Sequence, residues 1–169
     1  MISFNAEHNV WVLWQDTDVD VIVPVKTLWR SAYGGWVVVT QHLQANTPYH
    51  NFRLFAKMCV IAAVVQKGLE RLALAPHANI QSNANWAFRT SDGALSDLEE
   101  GRQRRRVHIH VFGRRTQDPS WGDPIRLASY HEYVAMQDTV EIWNENTLKQ
   151  FSTFLADEVP QALKMSQAS

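Results

Sequence analysis

The stretch RVHIHVF, residues 106–112, decides how this sequence is interpreted. Its residues alternate between two chemical types with a period of two, which predicts a β-strand with two different faces. The two sets are Arg106, His108, His110 and Phe112 on one face, and Val107, Ile109 and Val111 on the other. We therefore expect both imidazole rings to project from the same side of a sheet.

Two imidazoles on one face suit either phosphate chemistry or metal binding. A neutral imidazole offers one donor and one acceptor, and it titrates near neutral pH. A guanidinium group matches a pair of phosphate oxygens, and arginines flank this strand on both sides. They are Arg102, Arg104, Arg105, Arg106, Arg114 and Arg115. The pattern therefore favours a phosphate site, although two histidines in one strand also occur on ordinary protein surfaces.

A metal site is the alternative use of the same histidines. Zinc takes three or four protein ligands, so His42 or His131 would have to complete a set with His108 and His110. The sequence has neither an H-x-x-x-H nor a C-x-x-C spacing, so we expect no metal and no other cofactor. It also lacks the G-x-S-x-G, Walker and Rossmann glycine patterns.

The rest of the chain predicts an α+β fold with a largely antiparallel sheet. Alternating or β-branched segments predict further strands at residues 9–15, 19–23, 36–40 and 79–88. The last of these strands carries amides on one face, at Asn79, Gln81, Asn83 and Asn85. If it pairs with the histidine strand, those amides lie beside the imidazoles. The charged segment 91–106 is expected to be a loop.

Two amphipathic helices are predicted from apolar residues that recur at three- and four-residue steps. The first spans residues 48–75, with Thr47-Pro48 at its start and Pro76 beyond its end. The second spans residues 147–163, with Asn146 or Thr147 as its cap, and Pro160 is expected to fray its end.

Length and composition favour one domain over residues 1–169, with 46% hydrophobic and 20% charged residues. The formal net charge of −1 excludes a broad polyanion-binding surface and leaves RNA binding by local arginines as a weaker alternative. The single cysteine, Cys59, cannot form an internal disulfide. We expect no signal peptide and no membrane span, and hence a cytoplasmic protein.

The histidine strand resembles the signature of the histidine-triad (HIT) superfamily of nucleotide hydrolases and transferases, His-φ-His-φ-His-φ-φ, where φ is apolar. Residues 106–112 match every position except the first, where Arg106 stands. Gly101-Arg102-Gln103 is similar to the family's upstream segment, and residues 34–42 are similar to its strand that leads toward an earlier histidine. The resemblance covers roughly residues 9–115 and leaves 116–169 as a C-terminal extension. It implies a HIT-like fold with a long helix after the first strands and a C-terminal helix.

The resemblance also implies a nucleotide-phosphate hydrolase or nucleotidyl transferase that needs no metal. His108 would attack the α-phosphorus, and water or another acceptor would resolve the nucleotidyl-histidine. His110 and Arg106 would complete the catalytic set by contacting phosphate and stabilising its developing charge. The predicted substrate-binding residues are Gln103, Arg102, His42, Asn83 and Asn85.

Because Arg106 replaces the first histidine of the signature, a second function stays open. The chain would then be a HIT-like protein that binds nucleotides without catalysis. In either case the expected partner is a nucleotide or nucleoside phosphate ester. A homodimer is a further expectation, because many members of the superfamily are dimers.

Overall fold

The computed structural model describes residues 2–25, 33–42, 51–82, 106–125 and 143–168, together with the backbone of 88–89 and 95–96. Several sequence predictions lie outside these residues. They are the helix start at Thr47-Pro48, the metal ligand His131, and the binding residues Asn83, Asn85, Arg102 and Gln103.

Within the described residues, a six-stranded antiparallel sheet forms the centre of the fold. Its strands are β1 Ser3–Asn5, β2 Val10–Gln15, β3 Val19–Pro24, β4 Trp36–Gln41, β5 His77–Gln81 and β8 His108–Arg114. Their order across the sheet is β1-β2-β3-β4-β8-β5, so the histidine strand β8 lies between β4 and β5. Two short strands, β6 Phe88–Arg89 and β7 Leu95–Ser96, pair with each other in a separate sheet.

Two helices of the described chain pack on one face of the sheet: α1 Phe52–Arg71 and α2 Glu145–Ala168. Helix α1 contacts α2, β4, β5 and β8, and α2 also contacts β2. None of the described helices is both long and apolar enough to cross a membrane.

The main hydrophobic core lies between these helices and the sheet. Val107, Ile109 and Val111 of the histidine strand are buried there, together with Val37 and Val39 of β4. Burying one such side chain stabilises the fold by about 1.5–3 kcal/mol, so turning the wrong face inward would cost several times that amount. The period-two pattern therefore sets the orientation of β8, and the predicted separation of its two faces is confirmed.

Helix α1 is shorter at both ends than the predicted span of 48–75. It begins after Asn51, whose Oδ1 accepts a hydrogen bond from the backbone N–H of Leu54 at 2.9 Å. It ends at Arg71, because Ala73 takes a left-handed conformation (φ 54°) and its N–H bonds to the carbonyl of Glu70. The described helix therefore has Asn51 as its cap, and the chain has left the helix before it reaches Pro76.

Helix α2 is longer than predicted. Its cap is Asn144, whose Oδ1 accepts hydrogen bonds from the backbone N–H of Thr147 at 3.0 Å and from its hydroxyl at 3.2 Å. Pro160 does not fray the helix, which continues to Ala168. A proline removes one intrahelical hydrogen bond, and the buried stripe of α2 against α1 and β2 compensates for that loss.

Strand β5 ends earlier than the predicted strand 79–88. Its pairing with β8 stops at Gln81, and the hydroxyl of Ser82 then donates to the carbonyl of His108 at 3.2 Å. A side-chain hydrogen bond of this kind can take the place of a backbone bond of the ladder. Residues 88–89 belong to the separate β6–β7 pair, and β7 lies inside the segment that was predicted to be a loop.

Candidate functional site

Both histidines of β8 lie on the sheet face that is turned away from the helices. Thr40 of β4 is the cross-strand partner of His108, while Val38 and Gln81 flank His110 from the two neighbouring strands. Residues directly opposite each other in an antiparallel pair project from the same face. The predicted neighbourhood of imidazoles and amides is therefore present, with Gln81 as the amide beside His110.

The ring of His108 is oriented by the backbone. Its Nδ1 lies 2.9 Å from the carbonyl oxygen of Arg106. A carbonyl oxygen can only accept, so Nδ1 carries the proton and donates it, and the neutral ring holds its lone pair on Nε2. This contact requires no particular side chain at position 106, so the arginine found there leaves it intact.

The ring of His110 is oriented by a side chain instead. The indole Nε1–H of Trp36 donates to its Nδ1 at 3.0 Å. An indole nitrogen can only donate, so Nδ1 accepts and the proton of the neutral ring lies on Nε2. Burial of the ring, together with the nearby His108, lowers the pKa of His110 to about 3. His110 is therefore a neutral donor at physiological pH.

The two rings hold opposite tautomers at close range. Their centroids are 4.6 Å apart and their planes are nearly perpendicular. Nε2 of His108 carries a lone pair, whereas Nε2 of His110 carries a proton. One face of one strand thus combines a nitrogen nucleophile with a neutral hydrogen-bond donor.

A small apolar cluster surrounds His110 and keeps this part of the sheet dry. Trp36, Val38 and Phe112 form its buried part, and the Phe112 ring stacks near His110 with centroids 5.5 Å apart. The low local dielectric strengthens the hydrogen bond of His110 to Trp36. The sequence alone gives no signal for this role of Trp36, because seeing it requires knowing that β4 and β8 are neighbours.

His42 lies at the end of β4, near Arg106, and both of its ring nitrogens face acceptors. Nε2 is 2.9 Å from Oδ1 of Asp20, and Nδ1 is 3.1 Å from the carbonyl oxygen of Thr17. The hydrogen bond to Asp20 raises the pKa of His42, and the positive charge of Arg106 opposes that rise. His42 is thereby anchored to the β2–β3 turn, and any direct contact with substrate would have to break one of these bonds.

The two arginines at the C-terminal end of β8 bond to groups of the protein itself. Arg114 is buried: its Nε lies 2.5 Å from Oδ2 of Asp118, and its NH groups donate to Oδ1 of Asn79 and to the carbonyl of Ser120. Arg115 donates to backbone carbonyls at the end of α1. Both arginines therefore stabilise the fold. Their donors are used within the protein, which removes Arg114 and Arg115 from the RNA-binding alternative.

Among the described residues, no cluster of three or more His, Cys, Asp or Glu side chains is arranged to hold a metal ion. Of the two residues that could have completed the metal set, His42 is engaged with Asp20, and His131 lies outside the described residues.

Comparisons with known proteins bear on the fold. No protein-family model matches the sequence, and no curated protein matches it either. Solved structures do match. A histidine triad protein from Bradyrhizobium japonicum is similar over 94% of this chain and 98% of its own, with a TM-score of 0.56 and 14% identity. This chain has the histidine-triad fold.

Two further histidine triad structures agree with this result. One, from Marinobacter aquaeolei, has a TM-score of 0.53 and 15% identity over 96% of this chain and 98% of its own. Another, from Sinorhizobium meliloti, has a TM-score of 0.53 and 17% identity over 93% and 96%. The predicted α+β class, with a long helix after the first strands and a C-terminal helix, is confirmed.

Within the histidine-triad fold, the structure brings together three of the predicted site residues. His108 and His110 are adjacent on β8, and Arg106 stands at the exposed end with its carbonyl on His108. His42 lies at the same end of the sheet but is held by Asp20. The other predicted binding residues lie outside the described part of the chain.

Proposed function

We propose that this chain binds a nucleotide phosphate ester on the histidine face and transfers its nucleotidyl group by way of His108. The observation that carries the proposal is the hydrogen bond from Nδ1 of His108 to the carbonyl of Arg106. It sets the tautomer that presents Nε2 as a nucleophile. The histidine-triad fold supports a nucleotide as the substrate class, since the superfamily signature resembles residues 106–112.

The reaction follows from this tautomer. Nε2 of His108 forms a bond to the α-phosphorus as the bond to the leaving group breaks, and the leaving group departs with the electron pair and takes up a proton from solvent. The ring becomes an imidazolium, whose Nδ1–H bonds more strongly to the Arg106 carbonyl once it is charged. A water oxygen then bonds to phosphorus as the bond between phosphorus and Nε2 breaks. Nε2 recovers its lone pair and the water releases a proton to solvent, so one difficult displacement becomes two easier ones.

His110 and Arg106 stabilise the phosphorus centre in this scheme. The Nε2–H of His110 donates to a phosphate oxygen, and because its pKa is about 3 it does so without adding charge. Arg106 is exposed at the start of the strand and supplies the positive charge. Preorganised donors in a site that excludes water account for a large share of rate enhancement in many enzymes.

The test is turnover of adenosine 5′-phosphoramidate and of diadenosine polyphosphates. His108→Asn should reduce turnover roughly a thousandfold or more, because it removes the nucleophile and keeps a polar side chain of similar size. His8→Asn, in the exposed β1–β2 turn, is the matched control and should leave turnover unchanged. Rapid quenching and intact-mass measurement should detect an adenylyl adduct that His108→Asn lacks. Equal turnover by His108→Asn and the wild type would rule out the proposal.

A second candidate function is nucleotide binding without catalysis. It is favoured by Arg106, which stands where the superfamily signature has its first histidine. Titration calorimetry with mononucleotides measures binding independently of turnover. Binding of adenosine monophosphate with neither turnover nor adduct would select this function over the enzymatic one.

A homodimer and a cytoplasmic location stay predictions for this chain. Light scattering coupled to size-exclusion chromatography measures the mass of the particle, and a value near the 19.4 kDa of one chain would contradict the dimer. Cell fractionation tests the location.

A further inference from the structure

The loop that follows β8 forms an open pocket of about 380 Å³ at the far end of the strand from His108. Its lining residues are His77, Asn79, Arg114, Trp121, Gly122 and Asp123. His77 is the cross-strand partner of Arg114, and Asn79 is that of Phe112. The pocket therefore lies on the same face of the sheet as the histidine pair.

Trp121 presents an exposed aromatic side chain to this pocket. The residue is 40% exposed, and its ring centroid lies 5.6 Å from that of His77 with the planes tilted by 34°. Leaving part of an indole in water costs the hydrophobic free energy that burial would release. An exposed aromatic residue on an ordered loop is for this reason a typical binding feature.

The loop is held in one conformation by polar groups beneath it. The side chains of Arg114 and Asp118 are 6% and 0% exposed, and Oδ1 of Asp118 accepts from both the N–H and the hydroxyl of Ser120, at 2.8 and 2.7 Å. A buried ion pair adds little net stability compared with apolar residues of the same size. Its effect here is to fix the conformation of the loop. Binding at Trp121 therefore loses little conformational entropy from the loop.

We propose that this pocket binds a planar heteroaromatic ring of the nucleobase type, stacked on the indole of Trp121. The edge groups match such a ring. Oδ1 of Asn79 is occupied by Arg114, which directs the amide N–H groups of Asn79 to act as donors. Asp123 also lines the pocket, and its carboxylate adds an acceptor. A ring with an acceptor nitrogen beside an amino group, such as adenine, satisfies both.

The position of the pocket separates it from the proposed catalytic site. Arg114 follows His108 by six residues on the same strand, which corresponds to roughly 20 Å at the rise of an extended chain. The buried ring of Phe112 lies between them. The pocket therefore takes a ring other than the one attached to a phosphate at His108, and its occupancy does not depend on catalysis.

The experiment is calorimetric titration with adenosine, which carries no phosphate, and with ribose as the control that lacks a ring. Adenosine should bind the wild type, and Trp121→Ala should weaken binding roughly 5- to 150-fold, the range found for stacked bases. Trp121→Phe should retain most of the affinity. Phe4→Ala is the matched control, because Phe4 is 47% exposed and pairs with Trp11 at the opposite edge of the sheet.

The variant His108→Asn distinguishes this proposal from the catalytic one. It should bind adenosine as the wild type does even though turnover is lost. Absence of adenosine binding by the wild type at millimolar concentration would overturn the pocket proposal. So would equal binding by Trp121→Ala, or binding that depends on His108 and not on Trp121.

Discussion

The two ends of strand β8 carry the same residue type in opposite settings. At the open end, Arg106 is exposed and only its backbone carbonyl serves His108. At the closed end, Arg114 is buried in an ion pair with Asp118 and holds the loop above it. In the sequence, both belong to the arginines that flank the strand, and the family resemblance assigned a catalytic role to Arg106 alone.

The difference shows how burial decides what a charged residue does. A buried guanidinium must be paired, so the charge of Arg114 is neutralised by Asp118 and its donors are used within the fold. An exposed guanidinium keeps its charge and its donors, which makes Arg106 the one of the two that fits a phosphate ligand.

The largest effect is expected from removing the ion pair between Arg114 and Asp118 at the closed end. Asp118→Ala leaves Arg114 buried without its counter-charge and should lower the free energy of unfolding by about 3–5 kcal/mol. Arg106→Ala, at the open end, should change it by less than about 0.5 kcal/mol. Urea unfolding measures both variants. A cost below 1 kcal/mol for Asp118→Ala would show that the two ends are energetically alike.

The next largest effect concerns the hydrogen bond from Trp36 to His110, which lies midway along β8. Trp36→Phe removes the indole donor and leaves Nδ1 of His110 buried without it, which should cost about 1–3 kcal/mol. His110→Phe should cost a similar amount, and the double variant should cost less than the sum. Nitrogen-15 shifts of the imidazoles report the tautomer directly. Strict additivity, or an unchanged His110 tautomer in Trp36→Phe, would contradict the assigned role of Trp36.

The pH dependence of stability sharpens the contrast among the histidines. The pKa of His110 is about 3 in the folded state and ordinary in the unfolded state, so the unfolded chain binds the extra proton between these values. Stability should therefore fall as pH drops from about 6.5 toward 3, with a slope of at most about 1.4 kcal/mol per pH unit from this group. His110→Asn keeps an acceptor for Trp36 and should flatten this slope. Parallel pH profiles for the two proteins would refute the buried neutral ring.

The smallest effect is the contribution of His42, at the open end, to the pH dependence of stability. Its sign is opposite to that of His110, because stability is lost as pH rises. The pKa of His42 is raised in the folded state by Asp20, so its stabilisation is complete below the unfolded pKa and is lost as pH rises through the folded value. The pair is partly exposed, so the difference should stay below about 1 kcal/mol. His42→Gln should remove this loss above neutral pH. The same decline in the variant would show that another group is responsible.

Much of the fold could be predicted from local patterns. The alternation in residues 106–112 placed Val107, Ile109 and Val111 on the face opposite the histidines, which is the face that forms the core. The apolar stripes identified both helices. The errors lie at element ends, where single side chains decide the outcome. Asn51 and Asn144 cap the helices, and the last pair of β5 with β8 is Gln81 with His110.

The sequence by itself determined that His108 and His110 share one face of a strand, because the period of a β-strand is a property of the local chain. It also identified the fold class, since the hydrophobic periodicity gives the order of strands and helices along the chain. Only the tertiary structure decided that Trp36 orients His110 and that Asp118 takes the charge of Arg114. Those contacts depend on strand order and loop path, which arise from burial summed over the whole molecule rather than from any single segment.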